Sequence, residues 1–350
     1  MKPIKIDNYY IGQENPPYII AEMSGNHNQS LERALKIVEE AANAGAQALK
    51  LQTYTADTMT LDLNNREFFI DNPESLWKGM SLYDLYKQAF TPWEWHKPIF
   101  DHCKKHGITA FSTPFDSSAV DFLERLKVPA YKIASPENTD QNLIQKVAST
   151  GKPLIISTGT ASVAELDESI KVARQEDLYD IILLKCNSSY PANPKDSNLL
   201  TIPHMSQLFN VHVGLSDHSL GIGVAIASVA LGAKVIEKHL TLSRNEGGVD
   251  SNFSMEPHEL KTLVKETMNA WQSLGEIHYG VTKGESLSLR GRRSLYIVED
   301  MKKGNFFTNK NIRSIRPGYG LPNKYYNIFI GKKINKDAQK GTPLTWDMIG

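Results

Sequence analysis

Eight short apolar runs, separated by amphipathic stretches, constrain this chain more than any other feature. They fall at 18–22, 48–52, 109–112, 130–133, 154–157, 181–185, 211–215 and 235–239. Most are continuously apolar rather than alternating, the pattern of parallel strands buried on both faces. The stretches between them carry a helical period. In 31–44, Leu31, Leu35 and Val38 share one face, and 92–106 opens with a proline where a first helical turn tolerates one. Further helices are expected at 142–148, 162–174, 224–231 and 257–274. Eight strand–helix units predict an α/β fold, a (β/α)8 TIM barrel of roughly 250 residues. The stretch 53–90 is too long for a plain crossover and predicts an elaborated loop over the active face.

The pattern changes after Gly275. Residues 275–293 are rich in glycine, serine and charge and read as a linker. From Ser294 onward the segments 294–298, 311–315 and 331–334 look β-like. Asp300-Met-Lys-Lys-Gly304 is echoed by Asp337-Ala-Gln-Lys-Gly341. Two related turns predict a small β-rich domain with internal pseudo-symmetry. A tail this short is marginal alone and is expected to dock on a barrel, its own or a partner's. The expected boundaries are a barrel domain over 1–280, a linker over 281–293 and a tail domain over 294–350.

Lysine plus arginine equals aspartate plus glutamate, 39 each. That balance argues against a nucleic-acid partner, which needs a basic surface, and leaves room for a local basic pocket. The two cysteines, Cys103 and Cys186, sit in or beside apolar segments and read as buried free thiols of a reducing compartment. The first residues lack the apolar core of a signal peptide. No apolar run approaches the ~20 residues that span a bilayer. A soluble cytoplasmic protein without a membrane partner is expected.

In a parallel barrel, chemistry is built at the C-terminal ends of the strands. The first run ends in Glu22, and the second carries Lys50 and Gln52, two apart and so on one side. The third leads to Thr113, the fourth carries Lys132 with Ser135 beyond, and the fifth ends in Ser157. The sixth is followed by Tyr190, the seventh gives Ser216 and His218, and the eighth Glu237 and His239. Each has a bland reading: a hydroxyl after a strand is an ordinary turn or cap residue, and Glu22 or Glu237 a structural ion-pair partner. The ensemble points further. Neighbouring strands lie about 4.8 Å apart, so His218 and His239 can meet over one metal ion. Inward lysines and several hydroxyls suit a phosphate and a carboxylate. A metal beside them would polarise a carbonyl oxygen. The implied chemistry is addition of a small phosphorylated carbon acid to an aldehyde or ketone.

These residues occur in motifs that resemble the sialic acid synthase family: Ile20-Ala-Glu22-Met-Ser-Gly-Asn26-His27, Lys50-Leu-Gln52-Thr53, Ser112-Thr113-Pro114-Phe115, Ala130-Tyr-Lys132-Ile-Ala-Ser135, Ser157-Thr158-Gly159, Gly214-Leu-Ser216-Asp-His218 and Ile236-Glu-Lys-His239. Ile315-Arg316-Pro317-Gly318 resembles the antifreeze-like, or SAF, domain of the same enzymes. The resemblance implies a TIM barrel plus SAF domain in a domain-swapped homodimer. It implies condensation of phosphoenolpyruvate with an N-acetylated amino sugar, with Mn²⁺, Mg²⁺ or a similar divalent ion. His218 and His239 match the family's metal ligands. Lys50, Thr113, Lys132, Ser135, Ser157 and Ser216 match phosphoenolpyruvate contacts. Glu22 matches the acid proposed to activate water, with Gln52 a neighbouring polar residue. Tyr190 and Asp250 match positions near the sugar, and Arg316 the SAF arginine that reaches the partner's sugar.

Two departures narrow the reading. After the sixth strand Cys186-Asn-Ser-Ser-Tyr190-Pro191 has Ser188 where many members have asparagine. After the eighth, Gly247-Gly-Val-Asp250-Ser-Asn-Phe253-Ser254 replaces Pro-Gly-Pro-Asp. The Asp-Ser-x-Phe-Ser pattern, with Leu82-Tyr-Asp-Leu-Tyr-Lys87 and Thr91-Pro-Trp-Glu-Trp-His96, looks like the pseudaminic acid synthases of the family. Their sugar is 2,4-diacetamido-2,4,6-trideoxy-L-altrose. Three rivals stay open: an N-acetylneuraminic or legionaminic acid synthase, a pyruvate-using metal-dependent aldolase, and a non-catalytic sugar- or ice-binding protein.

Overall fold

Residues 1–350 are described by a computed structural model, the side chain of Arg66 lying outside the described set. An antiparallel hairpin, β1 (Ile4–Ile6) and β2 (Tyr9–Ile11), comes first. Eight parallel strands follow: β3 (Tyr18–Glu22), β4 (Ala48–Thr53), β5 (Thr109–Pro114), β6 (Tyr131–Ile133), β7 (Leu154–Ser157), β8 (Ile181–Cys186), β9 (His212–Ser216) and β10 (Val235–His239). They pair in sequence order, and β10 closes onto β3 with His239 beside Glu22. The expected barrel therefore forms, each strand within two residues of its sequence-derived position.

The helices are α1 (Leu31–Ala44), α2 (Ala56–Met59), α3 (Leu82–Ala89), α4 (Trp93–Lys105), α5 (Ser117–Arg125), α6 (Gln141–Ala148), α7 (Val163–Gln175), α8 (Thr201–Phe209), α9 (Gly223–Ala230) and α10 (Pro257–Leu274). Ser30, Asp116, Asp140 and Ser162 cap α1, α5, α6 and α7, their side chains accepting from N–H groups of the first turn. Helices α5 and α8 were not among the expected ones; α8 holds Pro203 and lacks a capping side chain, which blurs its start. The hairpin was not anticipated either. It closes the N-terminal end of the barrel, burying Ile4, Ile6 and Ile11. The Thr109 hydroxyl donates to Asp7, and His212 bonds the Lys2 carbonyl.

Gly214 sits in β9 where the backbone of β10 leaves no room for a side chain. A Cβ there would lie 2.3 Å from the Val235 carbonyl oxygen, so only glycine lets these two strands pack at this spacing.

The chain divides into two compact units, Met1–Gly275 and Glu276–Gly350. Within the second, Lys283–Gly291 forms a 3-10 turn where a plain linker was expected. Strands β11 (Ser294–Ile297) and β12 (Ile312–Ile315) pair antiparallel. The third expected strand, 331–334, makes only isolated bridges, Lys333 with Phe306 and Ile334 with Ile349. A short α11 (Tyr326–Phe329) occupies the preceding residues and Gly331 turns the chain, leaving too few residues for a ladder. The sequence echo is a structural one. Asp300 accepts from the Lys340 N–H and Asp337 from the Lys303 N–H, each at 2.8 Å. Met301 and Ala338 exchange backbone bonds, while Gly304 donates to Ile334 and Gly341 to Ile297. Leu295, Ile297, Phe307, Ile312, Phe329 and Leu344 fill this unit's own core.

Candidate active site

Strand alternation decides which side chains meet at the barrel mouth. Glu22, Lys50 with Gln52, Thr113, Lys132, Ser157, Cys186, Ser216, and Glu237 with His239 point to the axis and line one cavity of about 480 Å³. Ser135, Tyr190, His218, Asp250 and Phe253 join them from the loops beyond the strands. Twelve of the thirteen residues singled out from sequence thus converge. The thirteenth, Arg316, belongs to the other unit, where it is exposed and precedes a cis peptide to Pro317.

The floor is a buried charge cluster. Glu22 pairs with Lys50, and Glu237 lies 3.9 Å from both Lys50 and Lys132. Lys50 donates to Thr113 at 3.0 Å, and Lys132 to Ser157 at 2.6 Å. Ser216 donates to Glu237 at 3.2 Å. Burial raises the Glu22 carboxyl above its ordinary value, outweighing the nearby Lys50 ammonium. Burial would also raise Glu237, but Lys132, Lys50 and His218 lower it. Lys132 is lowered by burial; for Lys50 the same penalty is outweighed by Glu22 and Glu237, which raise it. Two cations are therefore held beside hydroxyls that an anion can share, and Glu237 balances them.

Gly159 lets the hydroxyls come close. Its N–H donates to Ser135, and a Cβ would lie 2.1 Å from the Ser188 hydroxyl and 2.6 Å from that of Ser135. Asn138 secures this corner by donating to the Ser157 and Gly159 carbonyls.

The two imidazole rings stand 5.3 Å apart, centroid to centroid. His218 Nδ1 lies 2.8 Å from the Asn187 carbonyl oxygen, to which it donates, and His239 Nδ1 is 3.2 Å from the Ser24 hydroxyl. The carbonyl partner puts the neutral His218 proton on Nδ1 and frees Nε2, and the Ser24 hydroxyl can accept from His239 Nδ1 to do the same, the tautomer a metal ligand needs. Burial and the neighbouring His218 and Lys50 hold His239 well below its usual range, so it stays neutral. Burial would lower His218 too, but Cys186, the Asn187 carbonyl and Glu237 raise it above its ordinary value. An ion bound to Nε2 of both rings displaces any proton there, and the two imidazoles with oxygen ligands from water or substrate fit one divalent ion. Lys238 faces outward between Glu237 and His239. Its ammonium bonds Asp217 and the Ser219 and Gly221 carbonyls, fixing the loop that carries His218.

The opposite wall is apolar. Residues 54–89 fold over the mouth as expected and contribute Met59, Ile70, Trp77, Leu82 and Leu85. Trp77 donates its indole N–H to the Val249 carbonyl at 2.7 Å. Tyr190 stacks at 4.5 Å from His218 and 5.0 Å from Phe253. Half-buried Asp250 is raised by burial, an effect the Ser24 hydroxyl and Gly25 N–H oppose.

The profile of the NeuB family matches residues 37–279, and that of the SAF domain matches 292–350. The chain belongs to the NeuB family. This NeuB-family chain is 43% identical over 330 residues to a pseudaminic acid synthase of Campylobacter jejuni, covering 93% of its own length and 95% of that protein. It is 40% identical over 336 residues to a pseudaminic acid synthase of Helicobacter pylori, covering 95% and 98%. A solved N-acetylneuraminic acid synthetase from Leptospira borgpetersenii, in complex with citrate, superimposes with a TM-score of 0.72 at 34% identity, covering 83% of this chain and 96% of that one.

Sequence reasoning on this NeuB-family chain placed Glu237 at a strand end without giving it a role, named Phe253 only within a motif, and left out Glu137 and Trp77, all of which line the cavity. Glu237 had a signal, two residues before His239 on one strand face. Trp77 had none, because it sits in irregular chain.

Proposed function

We propose that the chain is a transferase that condenses phosphoenolpyruvate with 2,4-diacetamido-2,4,6-trideoxy-L-altrose and water, giving pseudaminic acid and phosphate. One observation carries the reading: a pair of buried lysines and a pair of buried histidines open into the same cavity. The likeness to two pseudaminic acid synthases supports the choice of sugar. So does the apolar wall, which suits the C6 methyl and acetyl methyls of a deoxygenated, diacetylated sugar better than extra hydroxyls.

In this scheme Lys50 and Lys132 bind the phosphate and carboxylate of phosphoenolpyruvate, aided by hydroxyls of Thr113, Ser135, Ser157 and Ser216. Gln52, Tyr190 and Asp250 orient the open-chain sugar, and the wall excludes water from its aldehyde. A divalent ion such as Mn²⁺ or Mg²⁺ on His218 and His239 would supply Lewis acidity at the aldehyde oxygen. Carbon 3 of phosphoenolpyruvate bonds to the aldehyde carbon. The cation left at carbon 2 is trapped by water, and Glu22, its pKa raised by burial, accepts the proton. The aldehyde oxygen, its π bond opened, takes up a proton and becomes a hydroxyl, and the tetrahedral adduct expels phosphate by C–O cleavage as its own hydroxyl loses a proton and becomes the C2 ketone. No protein nucleophile is required, Cys186 included. The assembly is a cytoplasmic domain-swapped homodimer in which Arg316 contacts the partner's sugar through its guanidinium fork.

The test is phosphate release from phosphoenolpyruvate with a panel of amino sugars, with and without chelator. Release with the L-altro sugar, lost on chelation and restored by metal, is the expected result. Preference for an N-acetylmannosamine or a legionaminic acid precursor would reassign the sugar. Solvent ¹⁸O appearing in phosphate would overturn the C–O scheme.

A further inference from the structure

A second cluster of ligating side chains lies on the outer face of the barrel, and none of it lines the cavity. Glu39 comes from α1, and His102 and His106 from the end of α4. The His106 N–H donates to the His102 carbonyl at 3.0 Å, so helical geometry persists through this pair. Residues four apart on a helix share a face, and the two rings lie 4.5 Å apart. Glu39 Oε1 is 3.3 Å from His102 Nε2. One donor atom from each of the three lies within 4.8 Å of the others.

We propose that Glu39, His102 and His106 form a second metal site, selective for a borderline divalent ion such as Zn²⁺ and independent of the barrel mouth. Two imidazoles and one carboxylate, with water in the fourth position, make an open tetrahedral zinc donor set. Zinc–ligand bonds of about 2.0–2.2 Å require the three donors to draw together, and solvent-facing side chains do so by rotamer adjustment. Hard cations such as Mg²⁺ and Ca²⁺ prefer oxygen ligands and are poorly served here. Lys36 holds the other carboxylate oxygen of Glu39 at 3.0 Å, orienting it while opposing the ion's charge. A bound ion cross-links α1 to α4 and stabilises the folded barrel by mass action. The competing reading is a His102–Glu39 surface ion pair with His106 at a helix C-terminus.

Zinc stoichiometry on the untagged full chain decides between them. Wild type binds one Zn²⁺ equivalent per chain more than H106A or H102A, and E39Q weakens that equivalent. The extra zinc survives H239A. Added Zn²⁺ raises the melting midpoint of wild type above that of H106A, and all three outer variants keep wild-type phosphate release with Mn²⁺. H106Q, at the exposed helix end, repeats the test if H102A folds poorly. Equal zinc counts in wild type and H106A, or a melting midpoint that zinc leaves unmoved, would overturn the proposal.

Discussion

At the scale of single residues, the mouth of the barrel sets opposite charges on buried side chains and relies on neighbours to keep them there. Glu237 is the pivot, equidistant from Lys50 and Lys132. Removing one partner of such a buried set costs about 2–5 kcal/mol. Lys132→Ala therefore lowers kcat/KM for phosphoenolpyruvate at least ~30-fold, with the KM for sugar little changed; steady-state kinetics with each substrate varied check this. His96 makes a different point. Buried and bonded to Thr53, it is lowered by burial to about 4, as is His27. A histidine kept neutral in the fold contributes its full stability above pH ~6.5 and loses it as pH falls toward the folded pKa, at most about 3 kcal/mol. Burial raises Glu137 to about 7, an effect of opposite sign over the same window. Total stability hides both. The denaturant-derived advantage of wild type over H96Q isolates the histidine and is expected to shrink from pH 7 to pH 4.5.

At the scale of elements, one glycine and one tryptophan determine how closely pieces approach. Gly214→Ala drives a methyl into the backbone of β10. It is expected to destabilise the barrel by about 1–3 kcal/mol, read as a lower urea midpoint, and to loosen the strands that carry both histidines. Trp77 clasps the 54–89 segment to the loop after β10 through one hydrogen bond. Trp77→Phe keeps the ring and deletes the donor. A net loss of about 1 kcal/mol raises the KM for sugar roughly fivefold and leaves that for phosphoenolpyruvate unchanged. An equal effect on both substrates would mean that the segment serves the whole mouth rather than the sugar side.

At the scale of the whole molecule, the proposed swapped dimer makes a prediction that neither unit makes alone. R316A removes the tail's contribution and H218A the barrel's. If each site needs both, each homodimer is nearly inactive, and mixing the two by co-expression restores hybrids with one intact site. Activity that stays at the level of the separate variants would mean that Arg316 serves the site of its own chain and would overturn the swap.

The order of the barrel strands was legible because buried parallel strands leave continuous apolar runs, and the mouth residues because strand ends and period two assign them a side. Local pattern also carried the SAF echo, since Asp300 and Asp337 each cap the other's turn. It did not carry the hairpin under the barrel, whose burial depends on distant Thr109 and His212, nor the failure of 331–334 to extend as a strand. The sequence alone determined which polar residues end the strands and line the mouth. Only the folded chain decided that Glu237 sits between two lysines, that Trp77 reaches Val249, and that Glu39 meets His102 and His106. Those contacts join segments far apart in the chain, and proximity of that kind is created by packing, not by spacing.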